Sequence, residues 1–308
     1  MANYKVEEIP GPHVELGEGP HWDDQTQSLY YVSLSEATIH RLDHKSNKVY
    51  SAKVEGCTYA SFIIPVKDRS NEFIVGDGTR VVLISWDGLS DRANVLSCVA
   101  DLGQEAAGHR WNDGKVDSQG RLYAGMMITE SGGNPFEVNT GKFYRFDARS
   151  RTFFQQLSDI YISNGLTWNE RTKKFYYVDS GAHDIKEYDV DKNGNLVSGK
   201  IFFDLKENGK KTLHFFDGMT IDAEGNLFVA VFHKGKVFKI NPKGQVVQEI
   251  VIPAKQVTSV AFGGPKLDEL YVTTAKKLVL DPQNPPAGAT FKVTGLGVVG
   301  TPMNAVVL

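Results

Sequence analysis

Short apolar and aromatic runs, three or four residues long, recur along the chain between polar stretches rich in Gly, Asn, Asp and Lys. They are Leu29-Tyr-Tyr-Val32, Phe73-Ile-Val75, Leu122-Tyr-Ala124, Phe175-Tyr-Tyr-Val178, Leu227-Phe-Val-Ala230 and Leu270-Tyr-Val272. Their length and their β-branched and aromatic content predict strands. Turn sequences such as Asp117-Ser-Gln-Gly-Arg121 and Asp222-Ala-Glu-Gly-Asn226 stand just ahead of two of them. There Gly supplies the positive φ of a tight hairpin, so each run reads as the second strand of its repeat. Val81-Val-Leu-Ile84 and Gly141-Lys-Phe-Tyr-Arg-Phe146 supply outer strands. The amphipathic helices of an α/β alternative are missing from the pattern.

The first residues of the six runs lie 44, 49, 53, 52 and 43 positions apart. A period of about 40 to 50 residues made of short strands is the signature of a propeller blade. The pattern therefore predicts an all-β fold, a six-bladed β-propeller forming a single domain over residues 1–308.

A second regularity is chemical. Four repeats carry an acidic or amide residue followed five positions later by Asp or Asn: Glu18 with Asp23, Asn112 with Asp117, Asn164 with Asn169, and Asp217 with Asp222. Equivalent positions in different blades are related by rotation about the central channel, so these oxygens are expected to converge on the axis. Two carboxylates and two amide carbonyls suit a hard divalent cation such as calcium, magnesium or manganese. Each motif alone contains an ordinary turn former, as in GEGP, WNDG, SNGL and FDGM. Their common place in the repeats is what points to a metal site.

Other features read as structural. Asp189-Val-Asp-Lys-Asn-Gly194 begins like a calcium-binding loop, but its twelfth position is Lys200 where a Glu is required, so a hairpin turn is expected. Cys57 reads as a buried strand thiol. His21 and His109 flank the motifs, and Trp22, Trp111 and Trp168 read as packing between blades. Phe136, Tyr161 and Phe216 are candidates for rim aromatics.

Composition narrows the function classes. With 34 basic and 37 acidic residues the net charge is −3, which argues against a nucleic-acid or anionic-membrane partner. The run Lys206 to Lys211 reads as a solvated loop. No apolar stretch approaches the roughly 20 residues of a membrane span, the first residues lack a leader pattern, and two cysteines fit a reducing compartment. These features read as a soluble cytoplasmic protein acting on a small molecule.

The strings GEGPHWD, RWNDGKVDSQGRLYAG, ISNGLTW, DGMTIDAEGNLFVAVF, VTSVAFGGPKLDELYVTTA and PPAGATFKVTGLGVVG resemble the regucalcin (senescence-marker-protein), gluconolactonase and luciferin-regenerating-enzyme family, most of all its insect members. They run in the expected order from residue 17 to about residue 300. The resemblance implies a six-bladed propeller holding one divalent cation in its channel, calcium first, with zinc, manganese or magnesium as substitutes. It implies Glu18, Asn164 and Asp217 as metal ligands, and Arg110, Asn112 and Glu130 as substrate contacts. The segment Lys276 to Pro286 is less typical of the family, and the 133–139 stretch reads as a variable loop near the mouth.

The activity so implied is metal-dependent hydrolysis of a small lactone, an aldonolactone going to its aldonic acid. Asp217 would hold the attacking water and take its proton. Two alternatives stand beside it. One is a luciferin-regenerating-type enzyme acting on oxyluciferin or a related heteroaromatic. The other is a calcium-binding regulatory protein without catalysis.

Overall fold

The structure, a computed structural model, describes residues 4–206, 209–276 and 285–308. Among these the chain is built of strands, apart from one 3-10 turn at Gly103–Ala106. The predicted runs lie in Ser28–Ser33, Glu72–Asp77, Leu122–Ile128, Lys174–Asp179, Leu227–Phe232 and Glu269–Thr274. Each is the second strand of an antiparallel meander. The first strands are Gly17–Asp23, Ile63–Pro65, His109–Val116, Ser163–Asn169, Phe215–Ile221 and Val257–Gly263.

The continuous apolar runs have a physical reason. Ser28–Ser33 and Leu227–Phe232 are buried along their whole length, since neighbouring sheets cover both faces. Outer strands such as Arg92–Asp101 and Thr152–Ile160 are largely exposed and mix polar with apolar residues, Leu96 and Phe154 among the exposed ones. Apolar cores fill the gaps between consecutive sheets. Tyr176 and Val178 pack with Phe216 and Met219, and Phe228 and Val237 with Val260 and Phe291. Trp22 and Tyr31 of the first sheet meet Tyr271 of the last, which closes the sheets into a ring. The first strands pack against one another around its middle. The result is an all-β, propeller-like fold.

Four sheets have four strands and one has eight. The eight-stranded sheet is two meanders joined at their outer edges, where Lys48–Val54 and Arg92–Asp101 run parallel over Lys53↔Arg92 and Val54↔Ala93. The final sheet takes its outer strand from the other end of the chain. Lys5–Glu8 pairs antiparallel with Phe291–Thr294, from Lys5↔Thr294 to Glu8↔Phe291.

Several local expectations can be placed. Asp191 opens a hairpin turn, its N–H donating to Asn195 O and its carbonyl accepting from Gly194 N. Cys57 is not on a strand: it lies half-buried in the loop after Lys48–Val54. Burial, then the neighbouring Asp77, push its thiol up to about 12. In the basic run, residues 207 and 208 lie outside the described residues, as do 277–284 of the less typical later segment. Among the described residues no helix is long and apolar enough to cross a membrane.

Candidate metal and substrate site

Four first strands slip register against their partners at the same place. The slips fall between Glu18 and His21, Trp111 and Gly114, Ser163 and Leu166, and Phe216 and Met219. Two inner residues there face one on the second strand, which is a β-bulge and re-aims the side chains it carries. The bulged pairs are Gly19-Pro20, Asn112-Asp113, Asn164-Gly165 and Asp217-Gly218. Asn112, Asn164 and Asp217 are therefore equivalent. Glu18 is not: it stands one residue ahead of its bulge, which corrects the expectation of four positions in register.

The glycines at the second bulge position follow from close approach. A Cβ on Gly165 would lie 2.5 Å from the carbonyl oxygen of Asp217 and 2.8 Å from Met219 N. One on Gly218 would lie 1.9 Å from Ser259 Oγ and 2.8 Å from its Cα. Neighbouring inner strands thus touch backbone to backbone, and only a residue without a side chain fits.

Glu18, Asp113, Asn164 and Asp217 are all buried at this end of the ring. Burial raises the Asp217 carboxyl well above the ordinary range, and the charges of Glu18 and Asp113 add to it; Asn164 and the Gly218 N–H pull it down. Glu18 is pushed up to about 8 by burial and by Asp113, against the pull of the Gly19 N–H and Arg110. Asp113 is raised by burial, with Lys115 opposing. Asn164 is held by its Nδ2, which donates to Ser180 Oγ at 3.1 Å, and that hydroxyl donates to Phe216 O at 2.6 Å.

These residues fit a hard cation. Asp217 Oδ1, Asn164 Oδ1 and Asp113 Oδ2 are buried without a hydrogen-bond partner among the described residues. Such oxygens are costly unless something positive satisfies them. No group of three His, Cys, Asp or Glu side chains converges as a metal set among the described residues. The candidate set is therefore Glu18, Asp217 and the amide oxygen of Asn164, with Asp113 acting on it through its charge.

Arg110, Asn112 and Glu130 also come together. Arg110 donates from Nη2 and Nε to Glu130 Oε1, at 2.7 and 3.1 Å, and from Nη1 to Asn112 Oδ1 at 2.8 Å and Trp111 O at 3.1 Å. Asn112 Nδ2 donates to Ser163 O at 2.8 Å. The Asn112 carbonyl therefore meets a guanidinium instead of joining the orphaned oxygens. That corrects the expectation of four oxygens on one cation and leaves Asn112 beside the set. Arg110 also lies over Tyr59, 5.7 Å from the ring centroid.

The second members of the motifs cap turns at the far end of the same strands. Asp117 Oδ1 accepts from Gln119 N and Arg121 N, and Asp222 Oδ1 from Glu224 N and Asn226 N. His21 is buried near this end, and burial, then Lys115, push its imidazole down to about 3. His21 and Lys115 line a cavity of ≈ 440 Å³ together with Asp222 and Thr301 to Asn304; Glu18, Asp113 and Asp217 are not among its lining residues. His109 is tied to Ala107 O and Thr140 Oγ1 and has a structural role. Trp22 and Trp111 are buried packing as expected. Phe216 is fully buried in an intersheet core, so it is not a rim aromatic.

Asp113 is the residue that motif reading missed. Where two other bulges place Gly after the polar residue, this one places a carboxylate after the amide, and the WNDG string carries that difference openly.

A model of the SMP-30/Gluconolactonase/LRE-like region matches residues 16–276. Regucalcin of Danio rerio is 33% identical over 312 residues, covering 98% of each chain. A luciferin-regenerating enzyme of known structure superposes with a TM-score of 0.90 at 36% identity, covering 99% of this chain and 100% of that one. A regucalcin from Agrobacterium tumefaciens, described as a calcium-binding protein, superposes at 0.85 with 22% identity over 99% of this chain and 98% of its own.

Proposed function

Since the chain belongs to the SMP-30/gluconolactonase/LRE-like family, we propose that it is a divalent-metal-dependent hydrolase of small lactones, gluconolactonase-like in its chemistry. The observation that carries this reading is the buried pair Glu18 and Asp217, with the charge of Glu18 adding to the burial that raises Asp217, beside the orphaned oxygen of Asn164. With the fused sheet counted as two blades, the proposal includes a single six-bladed domain with these residues at one mouth of its channel.

Glu18, Asn164 and Asp217 would hold the cation, with calcium the first choice for all-oxygen ligands. A bound divalent cation supplies a Lewis acid for the lactone carbonyl. With the cation in place Asp217 would be ionised; it would take a proton from the attacking water and return it to the ring oxygen as the lactone C–O bond breaks, leaving the hydroxy acid. Arg110 and Asn112 orient the lactone oxygens. Glu130 has a side chain 60% exposed on the mouth and accepts from substrate hydroxyls while keeping Arg110 in place. The near-neutral charge supports a small molecule, in the cytoplasm, over nucleic acid as the partner.

The deciding experiment is a lactone screen on metal-stripped and metal-restored protein. Turnover that vanishes on chelation and returns with calcium, manganese or zinc supports the proposal; turnover indifferent to chelation rejects it. The similarity to a luciferin-regenerating enzyme supports a second reading, a heteroaromatic substrate. Conversion of an oxyluciferin-type compound without lactone turnover would select it.

A further inference from the structure

A second pocket opens beside the carboxylate cluster, with a volume of ≈ 570 Å³. Its walls come from the elements that build the cluster. Phe215 is the first residue of the strand whose third residue is Asp217, about 7 Å further along at the rise of a strand. His183 follows the turn that begins at Ser180, the hydroxyl holding Asn164. Phe136 lies in the loop beyond Glu130.

One side of the pocket is aromatic. Phe136 and Phe215 have ring centroids 4.9 Å apart at 57°, and Phe215 stacks on Phe232 at 4.7 Å and 15°. His233 stands edge-on to Phe215 at 5.8 Å. The other side is cationic. Lys211 Nζ lies 4.7 Å from the centroid of Tyr161 and donates to Gly181 O. Lys255 is exposed and makes no ion pair among the described residues. No carboxylate lines the pocket among the described residues. The acid that acts on His183, Asp204, is itself 3.5 Å from Lys206. Burial, then Lys211, lowers the His183 imidazole, and burial, then Lys255, lowers that of His233. Both rings are therefore neutral hydrogen-bonding groups, and the lysines supply the charge.

We propose that this pocket, walled by Phe136 and Phe215 and edged by Lys211, Lys255, His183 and His233, binds the acidic, planar aromatic part of a small ligand at the mouth of the channel. A neutral polyhydroxy sugar leaves the lysines without a counter-charge, whereas an aromatic acid matches both sides at once, through ring contacts and charge. That such a ligand is also a substrate rests on the lactonase reading; that it binds does not.

The test is calorimetric titration of the full-length protein with naphthalene-2-carboxylate and with its neutral analogue, naphthalene-2-methanol. The carboxylate is expected to bind more tightly than the alcohol. Lys255→Glu should weaken the carboxylate at least tenfold and leave the alcohol unchanged, whereas Phe136→Ala should weaken both. Lys266→Glu, an exposed charge reversal elsewhere, should bind like wild type. Circular dichroism melts establish that each variant is folded. No binding to wild type, or equal carboxylate affinity in wild type and Lys255→Glu, overturns the proposal. Because the titration needs no turnover, failure to hydrolyse lactones would remove the proposed function and leave this result standing.

Discussion

Asn164 and Asp217 occupy the same place in neighbouring inner strands: each is the first residue of a two-residue bulge, and each is followed by a glycine that a Cβ would drive into the next backbone. The bulge delivers the polar group and the glycine lets the next strand come close enough to bring its counterpart. Local chain geometry and candidate chemistry are one feature here.

Asp217 is the group asked to hold and deprotonate water. Asp217→Asn keeps the size and loses the base, so lactone turnover should fall about 10²- to 10⁴-fold, the usual contribution of a general base. Measuring kcat alongside metal content separates this from loss of the cation. Wild-type turnover with metal bound would remove Asp217 from that role.

Metal-free protein should be less stable at higher pH. Glu18 has its folded pKa raised from 4.5 to about 8, so the folded state holds a proton that the unfolded chain has released. That stabilisation is complete below about pH 4.5 and is lost as pH rises to 8. In chelator, Tm should fall across this window. Added calcium should reverse the trend, raising Tm more at pH 8 than at pH 5, because binding expels the same proton. A flat Tm in chelator from pH 5 to 8 would contradict the buried-pair argument.

Gly165→Ala places a methyl 2.5 Å from a backbone oxygen that has no rotamer to move. Overpacking of this kind costs roughly 1–3 kcal/mol. Because the oxygen belongs to Asp217, metal affinity should fall together with stability in urea titrations. Gly209→Ala, where a Cβ meets nothing within 4 Å, is a poor control because its φ is +73°. Ala223→Gly, at an exposed turn, serves instead.

Glu130→Gln tests the substrate contacts without touching the metal ligands. It removes the charge that Arg110 meets at 2.7 Å and should raise KM for a polyhydroxy lactone several-fold. Calcium affinity by calorimetry should stay unchanged. A lowered calcium affinity with unaltered KM would place Glu130 in the metal set.

The ring was legible in the chain because a strand covered on both faces must be apolar at every position, and that leaves an uninterrupted run to count. The candidate site was less so. Glu18 and Asp217 sit in motifs that look alike, yet one precedes its bulge and the other begins it, and a slip of one residue leaves no mark on a repeat whose loops vary by several. Phe216 was misplaced for the same kind of reason: next to Asp217 it points the opposite way, into the core between sheets. Asp113 carries no mark in the repeat, because the bulged position after the polar residue is a glycine in two of the other motifs. Burial is what makes it matter, and burial is a property of the closed ring.

Closure itself has a consequence for synthesis. The last sheet needs Lys5–Glu8 to pair with Phe291–Thr294, which is made long after it. Glu18 and Asp217 also arrive far apart in time, 199 residues from one to the other. Until Phe291–Thr294 is made the early strand waits without its partner, and a nascent chain stopped before residue 217 has Glu18 but no Asp217 to oppose it. The candidate site is therefore all-or-none in chain length: a premature stop yields no weakened version of it, only its absence.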